Sequence, residues 1–180
     1  MEQREIDDFW TDAKVRAQLN PARAYTGPNI EDTLPPPAWS FGPDPVTADR
    51  LLFLVLEGTK TATASALAEY EADGEALPEP GDLSIVLDGA DHPRALIRTT
   101  SVRVVPFADV DAAHAYAEGE GDRTLRYWRE AHRRFFEAHT SLGQGFPDDV
   151  PVVLERFVVL VPTRPTTRSP RAAAPAPAVT

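Results

Sequence analysis

The segment Leu51–Thr63 reads LLFLVLEGTKTAT, a greasy run that stops at a glycine and passes into a lysine flanked by threonines. Six consecutive apolar residues, Leu51 to Leu56, leave no polar side, so the pattern predicts a helix buried on most sides. Gly58 suits the left-handed position that ends a helix. Beyond it, Thr61, Thr63 and Ser65 alternate with Ala62, Ala64 and Ala66. A period of two puts the hydroxyls on one face of a strand and the alanines on the other, toward the core. Hydroxyls are thus presented where an anchored helix turns into a strand, with the amine of Lys60 just ahead. Lys60 and Thr63 are therefore candidate functional residues, and Thr61 belongs to the same row.

Upstream, Asp44-Pro45 supplies the N-cap and first-turn proline that would start this helix. Before it lies Trp39-Ser-Phe-Gly42, in which Trp39 and Phe41 either fill the core or offer a flat face to a nucleobase. Ile6, Phe9, Trp10, Ala13 and Ala17 fall at helical spacing and predict a first helix over residues 3–19. From Asn20 to Pro37 the composition is that of an irregular arm. Downstream, the pattern predicts a short helix over 67–73, strands over 83–87 and 150–161, a strand pair or one long bent strand over 94–105, and helices over 109–118 and 123–142. Three parts follow: residues 1–37 as helix and arm packed on the domain, 38–162 as the domain, and 163–180 as a disordered Pro/Ala/Arg tail.

Composition narrows the partners. The absence of cysteine excludes disulfides, thiolate nucleophiles and zinc-cysteine sites, and with MEQREIDDFW unlike a signal peptide it points to the cytoplasm. No apolar run approaches the roughly 20 residues that span a bilayer, so no membrane partner is expected. Ahead of residue 163 the chain carries 15 basic against 28 acidic residues, a net −13. Such a body repels a long polyanion, and duplex DNA is disfavoured as a partner. A nucleoside, a nucleobase or a short single strand of RNA remains compatible.

The second informative stretch is Glu118-Gly-Glu-Gly-Asp-Arg123, three carboxylates separated by single glycines. Gly119 can end one helix and Asp122 can cap the next, which leaves Glu120 without a capping duty and makes it the preferred acid-base candidate. Glu118, Asp122 and Arg123 stand beside it as candidate substrate contacts. Tyr127, Trp128, Phe135 and Phe136 give the following helix an aromatic side of the kind that mostly fills the core, with Trp128 the alternative candidate for ligand contact. Four histidines occur without an HExxH spacing, and no P-loop, GxSxG or dinucleotide GxGxxG is present, so neither a metal nor another cofactor is expected.

Gly58-Thr-Lys60-Thr-Ala-Thr63 resembles the GxKxxT motif of the ASCH domain superfamily, which is related to the PUA RNA-binding domain. Trp39-Ser-Phe-Gly, Pro80-Gly-Asp, Ala117–His132 and Val153-Leu-Glu-Arg-Phe157 resemble its longer bacterial members, a likeness that covers roughly residues 5–161. The resemblance implies an α+β fold, a PUA-like, partly open β-barrel with flanking helices. Small bacterial ASCH proteins act as amidohydrolases on N4-acetylcytidine with a lysine, a threonine and a glutamate. Carried over by position, these are Lys60, Thr63 and Glu120. Another longer member is described as a ribonuclease for single-stranded RNA, and the N-terminal helix and EGEGDR segment resemble that branch. In the amidohydrolase reading Thr63 attacks the acyl carbonyl, Lys60 takes its proton if burial lowers the amine's pKa, and Trp39, Phe41 or Trp128 stacks on the base. In the ribonuclease alternative the same cleft holds a flipped base, with magnesium as cofactor if carboxylates 118, 120 and 122 gather it.

Overall fold

A computed structural model describes residues 3–19, 34–139 and 146–162. Helix α1 (Gln3–Arg16) is followed by the two-residue strand β1 (Ala38–Trp39), helix α2 (Pro45–Leu56), strand β2 (Ala62–Ala66) and helix α3 (Leu67–Asp73). Strands β3 (Leu83–Leu87) and β4 (Pro93–Pro106) come next, then helices α4 (Ala112–Glu118) and α5 (Leu125–His139) and strand β5 (Pro151–Pro162). The strands form one mixed sheet in the order β1-β3-β4-β5-β2, antiparallel except for the parallel β1–β3 pair. The sheet curls without closing, so the α+β, PUA-like fold is an open barrel. The arm over 20–33 and the tail over 163–180 lie outside the described residues.

Local chemistry sets α2. Asp44 is extended at φ −147°, and its Oδ1 accepts from the amides of Val46 and Thr47 at 3.0 Å each, with Pro45 in the first turn. Gly58 takes φ 75° and ends the run as the sequence predicts. Burial on most sides does not follow, however. Leu51, Leu52 and Val55 are buried, but Phe53 is 56% exposed, because only one side of α2 meets the sheet.

The long predicted strand over 94–105 is one 14-residue strand, β4, paired along nearly its whole length with β5 and shifted in register at two points. Both faces of this central region are covered. Ile85, Leu87, Leu96 and Val161 pack on Ile6, Trp10 and Ala13 of α1, whereas Val86, Ala95, Ile97 and Phe157 pack on α2 and Phe41. A third cluster gathers Phe107, Trp128, Phe136 and Phe146 with Val152 and Leu154 under α4 and α5. The next helix starts later than expected. Arg123 takes φ 62°, so the chain turns once more; Thr124, not Asp122, accepts from the Tyr127 amide, and Asp122 holds Thr124 instead.

Among the described residues no helix is long and apolar enough to cross a membrane. Phe107 is fully buried against Trp128, Phe136 and Phe146, with ring centroids 5.1–6.3 Å apart. Phe107→Ala should therefore destabilise the protein by about 3–5 kcal/mol, read as a lowered urea midpoint with an unchanged slope. A loss below about 1 kcal/mol would show that this cluster does not anchor α5.

Candidate functional site

The end of α2 delivers Lys60 inward. The amides of Thr59 and Lys60 both donate to the Leu54 carbonyl, at 2.9 and 3.0 Å, which folds the chain back over the helix terminus. The next residue is clamped on both sides, because the Thr61 amide donates to Ala117 O at 2.7 Å and Thr61 O accepts from the Phe157 amide at 3.0 Å. That clamp sets Lys60 beside Glu118, the residue after Ala117. Gly119 completes the approach at φ 75°, where a Cβ would sit 2.6 Å from the Thr59 carbonyl oxygen.

Lys60 is 2% exposed and donates to Glu118 Oε2 at 3.0 Å and to Glu120 Oε1 at 3.1 Å, with its amine 5.3 Å from the centre of the Phe41 ring. Glu118 is 1% exposed. Its Oε1 accepts from Trp128 Nε1 at 2.7 Å and lies 3.1 Å from His114 Nε2, while His132 Nε2 lies 3.4 Å from Oε2. The proton is placed on His114 Nε2 because an ionised carboxylate can only accept. Glu120 reaches further out and also contacts Arg50 at 3.4 Å. Lys60, Thr63, Glu118 and Glu120 line one cavity of about 280 Å³, together with Phe41, Arg50, Tyr127 and His132.

The residues expected from the sequence are thus divided. Lys60, Thr63, Glu120, Phe41 and Glu118 come together. Trp128 is 2% exposed, stacked on His132 at 4.1 Å, and spends its N–H on Glu118. Thr61 turns its hydroxyl to Ala117 O, Asp122 holds Thr124, and Arg123 donates to Tyr116 O with its guanidinium 3.6 Å from the Tyr116 ring centre. These four do not line the cavity. Trp39 lines a neighbouring groove, which shares Thr63 with the cavity. The three carboxylates do not gather: Glu118 and Glu120 both turn to Lys60, and among the described residues no group of three or more His, Asp or Glu side chains could hold a metal ion.

His114, Arg50 and His132 are the site residues that the sequence reading did not assign. A signal existed for the first, since His114 precedes Glu118 by four residues and so shares its helix face.

Residues 37–161 match the family model for the ASCH domain. The chain belongs to the ASCH domain family. Its structure resembles that of protein EF3133 from Enterococcus faecalis V583, with 35% identity, 88% of this chain and 89% of that one covered, and a TM-score of 0.73. It also resembles an ASCH domain from Lactobacillus crispatus JV V101, with 33% identity, coverage of 81% and 94%, and a TM-score of 0.65. Comparison with curated proteins gives no match.

Charge balance in this ASCH domain reverses one expectation. Burial works to lower the Lys60 pKa, but the charges of Glu118 and Glu120 and their hydrogen bonds outweigh it, and the amine stands above the ordinary lysine value. Lys60 is an ammonium at neutral pH. Burial would likewise raise Glu118, yet the Lys60 charge, His132 and the bond from His114 hold it well below the usual carboxylate range.

Removing one member of a buried pair leaves an uncompensated charge. Glu118→Gln should therefore lower stability at pH 7 by about 3 kcal/mol, and Lys60→Met in the same chain should restore a large part of that loss. Because the folded pKa of Glu118 is depressed, its stabilisation is complete above the unfolded glutamate value of about 4.3 and is lost as pH falls through the folded value. Urea titrations from pH 7 down to pH 3 should accordingly show a shallower decline in the Gln variant than in the parent.

Proposed function

We propose that this ASCH domain is an amidohydrolase that removes the acyl group from N4-acylcytosine-type nucleosides, with N4-acetylcytidine as the model substrate. The observation that carries the reading is the meeting of Lys60, Thr63 and Glu120 on one small cavity whose lysine is enclosed and fixed as a cation. The resemblance to the amidohydrolase members of the family supplies the reaction class.

The charge state of Lys60 assigns the roles. An ammonium cannot take a proton, so Glu120 receives the one leaving the Thr63 hydroxyl as its oxygen attacks the acyl carbon. Negative charge collects on the carbonyl oxygen, where the Lys60 ammonium stabilises it without reorganising. The C–N4 bond then breaks, and Glu120 returns the proton to the departing amine as cytidine leaves. Water attacks the resulting threonyl ester, giving its proton through Glu120 to the Thr63 oxygen and releasing the carboxylic acid. A neutral nucleoside suits the cavity better than RNA. Lys60 and Arg50 are each already paired with a carboxylate, so among the described residues no unpaired cation lines the cavity to meet a phosphate.

An ultraviolet assay on N4-acetylcytidine tests the reading. Lys60→Ala and Glu120→Gln should each lower kcat by about 10²–10³-fold, with the thermal transition of the Glu120 variant retained. Thr63→Ser should keep turnover that Thr63→Val loses, and a chain heavier by one acyl group should be trapped by rapid acid quench. Absence of turnover by the folded parent, with cleavage of single-stranded RNA in its place, would transfer the site to the ribonuclease reading.

A further inference from the structure

Beyond Thr63 lies a second groove, of about 960 Å³, between β2, the β4–β5 ladder and the segment running from α3 to β3. Its floor carries Thr63, Ser65, Thr99 and Glu155, with Tyr70 and Trp39 at the walls. Thr63 and Glu155 are directly opposed in the β2–β5 register, so their side chains share a face. Glu155 is half-buried, yet among the described residues its one hydrogen bond comes from Thr99 Oγ1 to Oε2 at 3.2 Å and no cation pairs with it. Arg156, the next residue, donates to Ala113 O instead. Burial, with the like charge of Asp82 adding to it, raises the Glu155 pKa. An under-partnered acid of this kind costs the fold stability, as groups kept for a ligand commonly do.

We infer that this groove is the ribose subsite of the cleft, with Glu155 accepting hydrogen bonds from the vicinal sugar hydroxyls of a nucleoside whose acylated base lies on the Lys60 side of Thr63. The inference rests on the hydrolase reading for its ligand class, and the groove adds the specificity. Carboxylates are the usual acceptors for a ribose diol. The Ser65 and Tyr70 hydroxyls, 3.3 Å apart, can each donate or accept, and the Trp39 ring, set edge-to-face on Phe41 at 4.7 Å, gives the sugar an apolar wall. The groove also excludes a charge. Among the described residues Glu75, Asp82 and Glu155 line it, with no lysine, arginine or histidine, so a phosphate on the sugar meets like charge there. The substrate is then a free nucleoside, in preference to a nucleotide or a residue within RNA.

Titration calorimetry with cytidine, 2′,3′-dideoxycytidine and cytidine 5′-monophosphate tests this without requiring turnover. The parent should bind cytidine about tenfold or more tightly than the dideoxy compound, and the monophosphate more weakly than cytidine. Glu155→Ala should erase the preference for the diol, and Glu155→Met, of similar length and without an oxygen acceptor, serves if the alanine variant fails to fold. Equal binding of cytidine and dideoxycytidine, no binding of either, or a diol preference that survives in a folded Glu155 variant would overturn the inference. Diol-dependent binding through Glu155 without hydrolysis of N4-acetylcytidine would leave the subsite standing and remove the hydrolase reading alone.

Discussion

The pairing of Lys60 with Glu118 inside the protein is the constraint on which the remainder of the site depends. Each group is nearly inaccessible to water, and either one alone would carry the large cost of a bare charge in a medium of low dielectric. The fold answers with a closed set of donors. Trp128 and His114 reach Glu118 from two helices, His132 stands behind Trp128, and the clamp at Thr61 fixes the backbone between lysine and glutamate. Close approach at Gly119 is part of the same arrangement, because any side chain there would press on the Thr59 carbonyl.

Glu118 and Glu120 both line the cavity, Glu118 buried and Glu120 reaching further out, and the two are spaced so that one turn of chain presents both to a single amine. Two negative charges against one ammonium also explain why burial fails to make Lys60 a base: the desolvation that would strip its proton is opposed from two sides. The chemistry open to the lysine is therefore that of a fixed positive charge.

Much of this was legible locally. The cap at Asp44, the glycine stop at Gly58, the short helix over 67–73 and the inward alanines at 62 and 66 all follow from signals within a few residues. Ala64, expected in the core, packs against the Phe107 cluster and also lines the cavity beside Thr63, since β2 is the edge strand next to the cleft. What the sequence hid was non-local. Glu118 reads as an acid secondary to Glu120 until Lys60, 58 residues away, is set against it, and Trp128, in a stripe that reads mostly as core, keeps a candidate ligand role until its N–H is seen spent on that carboxylate. Phe53 was misplaced for a related reason, because a uniformly apolar run does not say which side the sheet will cover.

The place of β2 in the sheet has a consequence for biosynthesis. Among the described residues its one strand partner is β5, far along the chain, while β3 and β4 pair with each other as sequence neighbours. As the polypeptide leaves the ribosome, the hairpin of β3 and β4 can close early, but the strand bearing Thr63 stays without a ladder until residues 151–162 have emerged. The hydroxyl and the enclosed lysine therefore come to order together and late, so the cleft cannot take shape on the nascent chain before β5 is in place.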